Sequence, residues 1–389
     1  MKNLKNLLPF FAVLFIFSSC KKEPIEITYQ RYAPEDYAVL TQSLNLPNDV
    51  LDYTFVFPRY YNSRTLNMDS DLATLGRVMF YDKNLSDDRS ISCASCHQQS
   101  LAFADDAALS DGVNNRKTAR NSLALGSVFN FAEYYGSPNE NRIPFFWDNR
   151  AVSVQEQSRQ TLANPDEMNM EMHQVVDRVK EQDYYKILIR EAFGDSEVTE
   201  DRVLDAISEF VNSMSTYESK YDKELDKHYD NNFNLNNVGS VNFSGFTAQE
   251  NLGKGIYVNQ CGTCHGRVNG FPGQIAANNG LDMDYDDNGI AGITNSGADN
   301  GLFKVPTLRN IALTGPYMHD GRFETLEEVI DHYSSGIQDH PNLDPLLKSG
   351  GQPKKFNFTA EEKEALITFL NTFTDQNMLV DERYSDPFK

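Results

Sequence analysis

The chain carries one short motif twice, as CASCH at residues 93–97 and CGTCH at residues 261–265. In each copy two cysteines lie three positions apart and a histidine follows directly. Cys20 is the only other cysteine. Two disulfides would leave both histidines unexplained, and a shared zinc site would join pairs much farther apart than in compact zinc modules. The pattern therefore needs a chemistry that uses the cysteines and the histidine together.

Covalent haem attachment is such a chemistry. Two cysteines on a turn that enters a helix can each form a thioether with one vinyl group of a haem, and the next histidine then lies beneath the iron. We therefore predict two covalently bound haem c groups. The predicted tethers are Cys93, Cys96, Cys261 and Cys264, and the predicted axial ligands are His97 and His265.

The N-terminus is typical of an export signal. Lys2 and Lys5 precede an apolar run over residues 7–17 that is too short to span a bilayer. The FSSC ending resembles a bacterial lipoprotein signal, which predicts a signal peptide over 1–19 and a lipid on Cys20; a plain secretory signal is the alternative. Haem attachment of this kind takes place outside the cytoplasm. We therefore expect a cell-envelope protein, in the periplasm and held to a membrane only by its lipid.

Charge and composition limit the partners. The chain has 389 residues, of which 40% are hydrophobic, and this is enough for two globular domains. Its net charge of -21 argues against nucleic acid and anionic membrane surfaces as partners. The same charge favours a basic protein or a small neutral molecule.

The hydrophobic pattern predicts a mainly α fold with two cytochrome c-like haem domains, long loops and little strand. Apolar periodicity predicts helices over 71–83, 172–192 and 200–228. Capping boxes, in which glutamate follows threonine by three residues, predict further helix starts at Thr247, Thr325 and Thr359. The predicted divisions are an N-terminal extension over 20–70, a first haem domain over 71–230, a linker over 231–240 and a second haem domain over 241–389.

The order of these motifs resembles the bacterial di-haem cytochrome c peroxidase family, which includes MauG, an oxidase of residues in a partner protein. WDNR (147–150) stands between the two CxxCH motifs, and VPTLRNIALTGPYMHDG (305–321) follows the second. The similarity covers about residues 71 to 373. It implies that hydrogen peroxide is reduced at haem 1 with electrons from an external cytochrome c or cupredoxin, passed by way of haem 2. It also allows a homodimer.

The resemblance assigns roles to residues around the first haem. Trp147 matches a tryptophan between the two haems, which can pass an electron between them. Glu167 matches a distal carboxylate, which can take a proton from the near oxygen of peroxide and return it to the far oxygen. Gln157 matches a residue that orients peroxide. Gln160 and Thr161 stand where relatives often have Gly-Pro, so the shape of this pocket is expected to differ.

The resemblance also implies a calcium ion between the domains. The matching positions are Asn121 and the carbonyl positions Thr314 and Pro316. Oxygen ligands, backbone carbonyls included, suit calcium. Without the resemblance these residues would be interpreted as turn formers.

The far side of each iron separates branches of the family. Relatives that need reductive activation carry a histidine after the first CxxCH, but residues 98–120 contain neither histidine nor methionine, so an open or water-bound iron is expected. At haem 2, Tyr333 stands where the peroxidases have methionine and MauG has tyrosine. Phenolate stabilises oxidised iron, whereas methionine raises the potential. His332 and Met318 remain alternative ligands.

We therefore predict a peroxidase first, with two alternatives. One is a MauG-like oxidase that modifies side chains of a partner protein, which Tyr333 favours. The other is a non-catalytic electron-transfer di-haem cytochrome c, against which Glu167 and the missing loop histidine count. The remaining histidines are assigned no chemistry: His173, His228 and His340 are expected at the surface or on helix faces, and His319 is expected to be structural.

Overall fold

The computed structural model describes residues 31–61, 63, 65–133, 144–229 and 234–389. The predicted signal peptide, Cys20 and part of the predicted linker lie outside these residues. The predicted mainly helical fold is confirmed. Within the described part of the chain, the helices are too short or too polar to cross a bilayer.

The described residues form α-helices of one to four turns, joined by long loops. In chain order they are α1 Pro34–Ser43, α2 Ser70–Tyr81, α3 Cys93–Cys96, α4 Asn130–Glu133, α5 Val154–Ala163, α6 Met172–Lys180, α7 Asp183–Phe193, α8 Glu200–Ser213, α9 Lys220–His228, α10 Ala248–Gln260, α11 Gly262–His265, α12 Ala291–Thr294, α13 Leu326–Asp331 and α14 Ala360–Asn371. A π-helical turn, His332–Gly336, continues α13.

Strand is scarce, as predicted. The described strands form antiparallel pairs of two residues each, and the middle pair joins the loop after the second CxxCH to the segment before PTLRN. The pairs are β1 Phe55–Val56 with β2 Thr65–Leu66, β3 Ala276–Ala277 with β4 Phe303–Lys304, and β5 Lys348–Ser349 with β6 Gln352–Pro353.

Helix α2 precedes the first CxxCH and packs closely across α8. Asp69 caps its N-terminus by accepting hydrogen bonds from two backbone amides of the first turn. At Gly76 the two helices approach so closely that a Cβ atom would lie 1.8 Å from the carbonyl oxygen of Ala206. Glycine is therefore required at this crossing.

The second CxxCH also follows a helix that packs closely across another helix. Helix α10 begins at the predicted capping box, in which Glu250 N donates to the hydroxyl of Thr247, and it packs across α14. A Cβ atom at Gly253 would lie 1.9 Å from the carbonyl oxygen of Ala365. The predicted capping boxes at Thr325 and Thr359 are also present.

Two of the predicted helices were wrong as single elements. The pattern over 172–192 is divided into α6 and α7, because Gln182 has extended backbone angles and begins the second helix. The pattern over 200–228 is divided into α8 and α9. There Met214 turns the chain out of the helix, and Ser219 forms a capping box with Asp222 that starts α9.

The apolar core is built around the two helix crossings. We call the described residues up to 229 the first half and residues 234–389 the second half. The main core of the first half lies around α2, α7 and α8, and it also takes Met378 and Tyr384 from the C-terminal segment. The core around α10 and α14 takes Tyr221 and Leu225 of α9. The halves thus exchange segments, and the domain limits stay a prediction.

Candidate functional site

One continuous cavity of about 750 Å³ runs between the two halves. Both CxxCH motifs lie in its wall: Cys93, Cys96 and His97 from the first half, and Cys261, Cys264 and His265 from the second. None of these four cysteines is paired in a disulfide. We call the part around His97 the first site and the part around His265 the second site.

The two histidines are oriented by the same kind of contact. His97 Nδ1 lies 3.0 Å from the backbone oxygen of Phe103, and His265 Nδ1 lies 3.2 Å from that of Pro306. A carbonyl oxygen can only accept, so each Nδ1 carries the hydrogen and each Nε2 keeps its lone pair. Burial lowers the pKa of both imidazoles, which favours the neutral form that binds a metal.

These residues fit the group that the sequence predicts. A haem c needs two unpaired thiols, a neutral imidazole with a free nitrogen and a large apolar cavity beside them. Each site offers all three, and apolar side chains such as Phe80, Ile91 and Leu162 complete the wall at the first site. Haem c would therefore be held at both sites by the predicted cysteines and histidines.

Glu167 lies in the cavity wall of the first site. It follows α5 on a short turn, where Val113 N donates to its backbone oxygen over 3.0 Å. Its carboxylate accepts a hydrogen bond of 2.6 Å from Asn164 Nδ2. Burial raises the pKa of Glu167, while hydrogen bonds from Asn164 and Thr161 oppose that rise. A half-buried carboxylate with a raised pKa is well suited to move protons in this cavity.

Gln157 lines the same wall, one turn of α5 before Thr161. Its Nε2 donates to the Thr161 hydroxyl over 3.0 Å, and Gln160 Oε1 accepts from Arg150 Nε at 3.1 Å. Helix α5 runs unbroken through positions 160 and 161, where relatives often have Gly-Pro. Thr161 thus contacts Gln157 in the cavity wall, and Gln160 contacts Arg150, which lines the cavity.

Trp147 lies where the two halves meet. Its indole Nε1 donates to the backbone oxygen of Asn121 over 2.9 Å, and its own backbone oxygen accepts from Lys304 N at 2.7 Å. The ring packs with Leu281 and Phe303 of the second half and with Leu123 of the first. It lines the cavity that contains both CxxCH motifs.

The three candidate ligands of the second iron all meet Asn279. His332 Nε2 lies 3.1 Å from the Asn279 backbone oxygen, and His332 is not part of the cavity wall among the described residues. Tyr333 and Met318 both line the cavity, and the Asn279 side chain hydrogen bonds to each. Burial raises the pKa of Tyr333 to about 12, and Cys261 and Cys264 lie near enough to contribute. The geometry thus favours Tyr333 or Met318 over His332.

The predicted calcium positions all line the cavity: Asn121, Thr314 and Pro316. The Asn121 side-chain amide donates to the backbone oxygens of Ala107 and Ala108 at 3.2 and 3.3 Å. Across the described residues there is no group of three or more histidine, cysteine, aspartate or glutamate side chains placed to hold a metal ion. A cation here would therefore depend on amide and backbone carbonyl oxygens, and the site stays a prediction.

Sequence reasoning missed an ion-pair bridge beside Trp147. Arg120 donates to Asp148 over 2.6 Å and to Asp287 over 2.6 and 2.8 Å, so it ties the first half to the second. The available signals were the WDNR motif, which contains Asp148 and Arg150, and the acidic turn around Asp287. Their partners could not be read from local sequence.

The interpretation of one histidine was wrong. His340 is 3% exposed, and its Nδ1 contacts the Asn278 amide at 3.1 Å. It is buried because the loop after α13 folds back on β3. His319 is buried against Phe303, with ring centroids 3.8 Å apart, as a structural residue would be, and His173 is exposed as predicted.

Comparisons with known proteins agree with this architecture. Residues 70–230 match the family model of the di-haem cytochrome c peroxidases. The chain is 34% identical over 314 residues to cytochrome c551 peroxidase of Nitrosomonas europaea, covering 79% of this chain and 80% of that protein. It is 31% identical over 307 residues to methylamine utilization protein MauG of Methylorubrum extorquens, covering 77% and 76%.

Solved structures give the same result. A MauG-like protein associated with microbial copper homeostasis is 31% identical, with a TM-score of 0.67 over 88% of this chain and 98% of that one. The di-haem peroxidase BthA of Burkholderia thailandensis is 21% identical and shares the fold, with a TM-score of 0.64 over 84% and 92%. With two CxxCH motifs in one cavity and these relatives along most of its length, this chain belongs to the di-haem cytochrome c peroxidase family.

Proposed function

We propose that this protein reduces hydrogen peroxide to water at the first site, with two electrons from an external donor that enter at the second site and cross by way of Trp147. Haem bound at His97 would supply the open iron and the redox chemistry for peroxide. The observation that carries the proposal is the position of Glu167, a half-buried carboxylate in the same cavity wall as Cys93 and His97.

The chain's own residues supply the proton transfers. Ionised Glu167 takes the proton from the near oxygen of peroxide and returns it to the far oxygen, which then leaves as water. Asn164 and Thr161 hold the carboxylate in place by hydrogen bonds. Gln157 donates from the adjacent turn and orients the peroxide.

Trp147 is proposed as the electron relay between the two sites. Its ring packs against both halves, and its indole N–H donates to the Asn121 carbonyl, so contacts from both halves hold it in position. The net charge of -21 favours a donor with a basic face, such as a small cytochrome c or a cupredoxin, because complementary charge speeds encounter.

The test is the reaction of the resting ferric protein with peroxide. We expect a high-spin signal from one haem in the EPR spectrum and steady consumption of peroxide with a reduced cytochrome c or cupredoxin. Two low-spin haems and no reaction with peroxide would instead make the protein an electron carrier.

A second function, oxidation of side chains in a partner protein, is favoured by Tyr333 at the second site. Changing Tyr333 to methionine restores the residue that the peroxidases carry, and His332→Gln is the matched control on the same turn. If the partner-oxidising function holds, wild type forms a long-lived oxidised state with peroxide but turns over poorly with small donors, and Tyr333→Met shortens that state. Rapid donor turnover by wild type would favour the peroxidase.

We also propose export to the cell envelope with a lipid on Cys20, and a calcium ion bound by Asn121, Thr314 and Pro316. Mass spectrometry of the mature N-terminus distinguishes a lipidated cysteine from a plain secretory cleavage. Treatment with a calcium chelator, followed by calcium return, tests the ion through a reversible change in the haem spectra.

A further inference from the structure

A buried carboxylate outside the cavity wall is shared by two neighbouring tyrosines. Tyr184 and Tyr185 both donate to Asp82 Oδ2, over 2.9 and 2.8 Å. Asp82 Oδ1 accepts from the backbone and side-chain nitrogens of Asn84, at 2.8 and 2.9 Å. Asp82 is 2% exposed and the tyrosines 6% and 0%. The cluster is thus buried, and each carboxylate oxygen of Asp82 accepts two hydrogen bonds.

This cluster stands behind the first CxxCH. Asp82 ends α2, and the tyrosines belong to α7, which packs on α2. Both tyrosines belong to the core against which Cys93 packs, and Cys93 is close enough to Tyr185 to raise the pKa of its phenol. Phe80 of α2 belongs to that core and also lines the first site. The cluster therefore lies one layer of side chains from where the haem is tethered.

The carboxylate faces the phenols without a cationic partner. Within the described part of the chain, Asp82 forms no ion pair with lysine, arginine or histidine, and Arg178 donates to the Asn84 backbone oxygen rather than to Asp82. A second buried tyrosine–aspartate contact, Tyr60 to Asp222, differs in this respect, because Arg309 pairs with Asp222.

We propose that Tyr184 and Tyr185 form a redox site, at which one phenol gives an electron to the peroxide-oxidised first site while its proton moves to Asp82. The phenolic O–H bond breaks, a carboxylic acid forms on Asp82, and a neutral tyrosyl radical remains. Hydrogen peroxide is the oxidant, so this inference rests on the proposed function.

Burial makes this step favourable at the cluster. With Asp82 ionised, the cluster carries one negative charge in a buried core before the step; afterwards the proton has stayed and the electron has left, so the cluster is neutral. Loss of a buried charge is stabilising. The hydrogen bond reverses without movement of heavy atoms, and the second tyrosine continues to donate to the same carboxyl group.

The two rings also suit a shared radical. Their centroids lie 4.6 Å apart at an interplanar angle of 52°. Either phenol reaches the same oxygen, so the hole can lie on either ring with the proton on Asp82. The site would take up an oxidising equivalent when no donor is present and protect the first site from damage.

The experiment uses the haem-loaded protein, treated with one equivalent of hydrogen peroxide without donor and freeze-quenched for EPR. We expect a tyrosyl radical in wild type, identified by a narrower signal after incorporation of ring-deuterated tyrosine. Tyr184→Phe/Tyr185→Phe should abolish it while keeping both rings in the core. Asp82→Asn should also abolish it, although both tyrosines remain, because an amide does not take the proton.

Tyr384→Phe is the matched control. Tyr384 is equally buried, and its ring centroid lies 6.2 Å from that of Phe103, whose carbonyl holds His97. Its hydroxyl donates to the Ser213 backbone oxygen over 2.7 Å, which is not a base. The radical should survive this substitution. Loss of the radical in Tyr384→Phe but not in the double variant would overturn the assignment.

Donor-dependent peroxide consumption, measured in the same samples, separates this inference from the proposed function. Normal consumption together with an unchanged radical in the double variant overturns the tyrosine site alone. A wild-type protein that does not react with peroxide overturns both. If Asp82→Asn fails to fold, the double phenylalanine variant still decides, because it leaves the packing almost unchanged.

Discussion

The two CxxCH motifs are held by similar helix crossings but are surrounded by different side chains. In each half a glycine on the preceding helix meets an alanine carbonyl on the crossing helix, and a backbone carbonyl orients the histidine. The walls differ: the first site has Glu167 and Gln157, whereas the second has Tyr333 and Met318 around Asn279. The helix crossings are thus alike in the two halves, and the side chains around each site are what differ.

A further difference lies between the helix and the motif. Helix α10 runs directly into the second CxxCH, since Cys261 is its C-cap residue. In the first half, residues 82–92 separate α2 from Cys93, and Asp82 begins this extra segment. The buried carboxylate and its two tyrosines therefore have no counterpart at the position where α10 ends.

The largest expected effect comes from removing one pair of tethers. Cys93→Ala/Cys96→Ala and Cys261→Ala/Cys264→Ala should each lose one covalent haem per chain, measured by pyridine haemochrome absorbance. Only the first variant should lose the reaction with peroxide completely. If the second variant lost the initial reaction as well, the division of labour between the sites would be wrong.

Next in size is the substitution Glu167→Gln, which keeps the shape of the side chain but removes the base. We expect the rate with peroxide to fall roughly 10²- to 10⁴-fold. Because burial raises the pKa of Glu167, the wild-type rate should fall as the pH drops through that raised value, above the usual range of a glutamate. The variant should lack this acid limb.

Asp166→Asn is the control for this change. Asp166 precedes Glu167 on the same turn, but its side chain is 52% exposed and pairs with Arg116 at 3.6 Å. Its rate at neutral pH should equal that of wild type, and its acid limb should remain but move slightly to lower pH, because the Asp166 charge is the smallest contribution to the raised pKa of Glu167. Equal losses in both variants would show that the turn, and not the Glu167 carboxylate, is what matters.

The two helix crossings can be tested by measuring the free energy of unfolding. Gly76→Ala and Gly253→Ala each place a methyl group against a backbone carbonyl, which the crossing helix can escape only by moving. We expect each to lower the free energy of unfolding by roughly 2–3 kcal/mol. Gly292→Ala in α12, where an added Cβ would meet no described atom within 4 Å beyond the adjacent backbone, should change it by less than about 1 kcal/mol. A large loss of stability in only one of the two variants would show that the two helix crossings are not equivalent.

Local sequence signals predicted the CxxCH motifs and the helix starts better than the side chains that surround each site. The CxxCH motifs and the three threonine capping boxes depend on residues within a few positions, and all appear in the structure. The prediction of one helix over 200–228 was wrong because the apolar period continues across Ser219. Ser219 and Asp222 nevertheless form a capping box, which marks the start of a new helix. Helix ends follow local hydrogen bonds, and these compete with periodicity.

Contacts between distant segments were beyond such reasoning. Asp82 and its tyrosines lie a hundred residues apart, and Asn279 contacts three candidate ligands from another loop. Buried Lys304 donates to the Pro144 carbonyl beside Trp147. Which residues share a wall depends on how the halves pack. Only the family resemblance, not periodicity, could indicate that Trp147 and Glu167 belong to one site.

The smallest effect is expected at the ion pair that joins the halves, in Asp287→Asn. Burial opposes ionisation of Asp287, but hydrogen bonds from Arg120 and Gly289 outweigh it and hold its pKa below the usual range. A carboxylate with a lowered pKa stabilises the fold above its unfolded pKa, and this stability is lost as the pH falls through the folded value.

The substitution should therefore cost about 1 kcal/mol of unfolding free energy at neutral pH, since the Asp287 side chain is 32% exposed. The gap from wild type should close below about pH 4. Denaturant unfolding at several pH values measures both, with exposed Asp284→Asn as the control. Because Arg120 keeps its contact with Asp148, the first half should hold its own loop in place. A change in the haem 1 spectrum of Asp287→Asn would mean that the bridge shapes the first site as well as joining the halves.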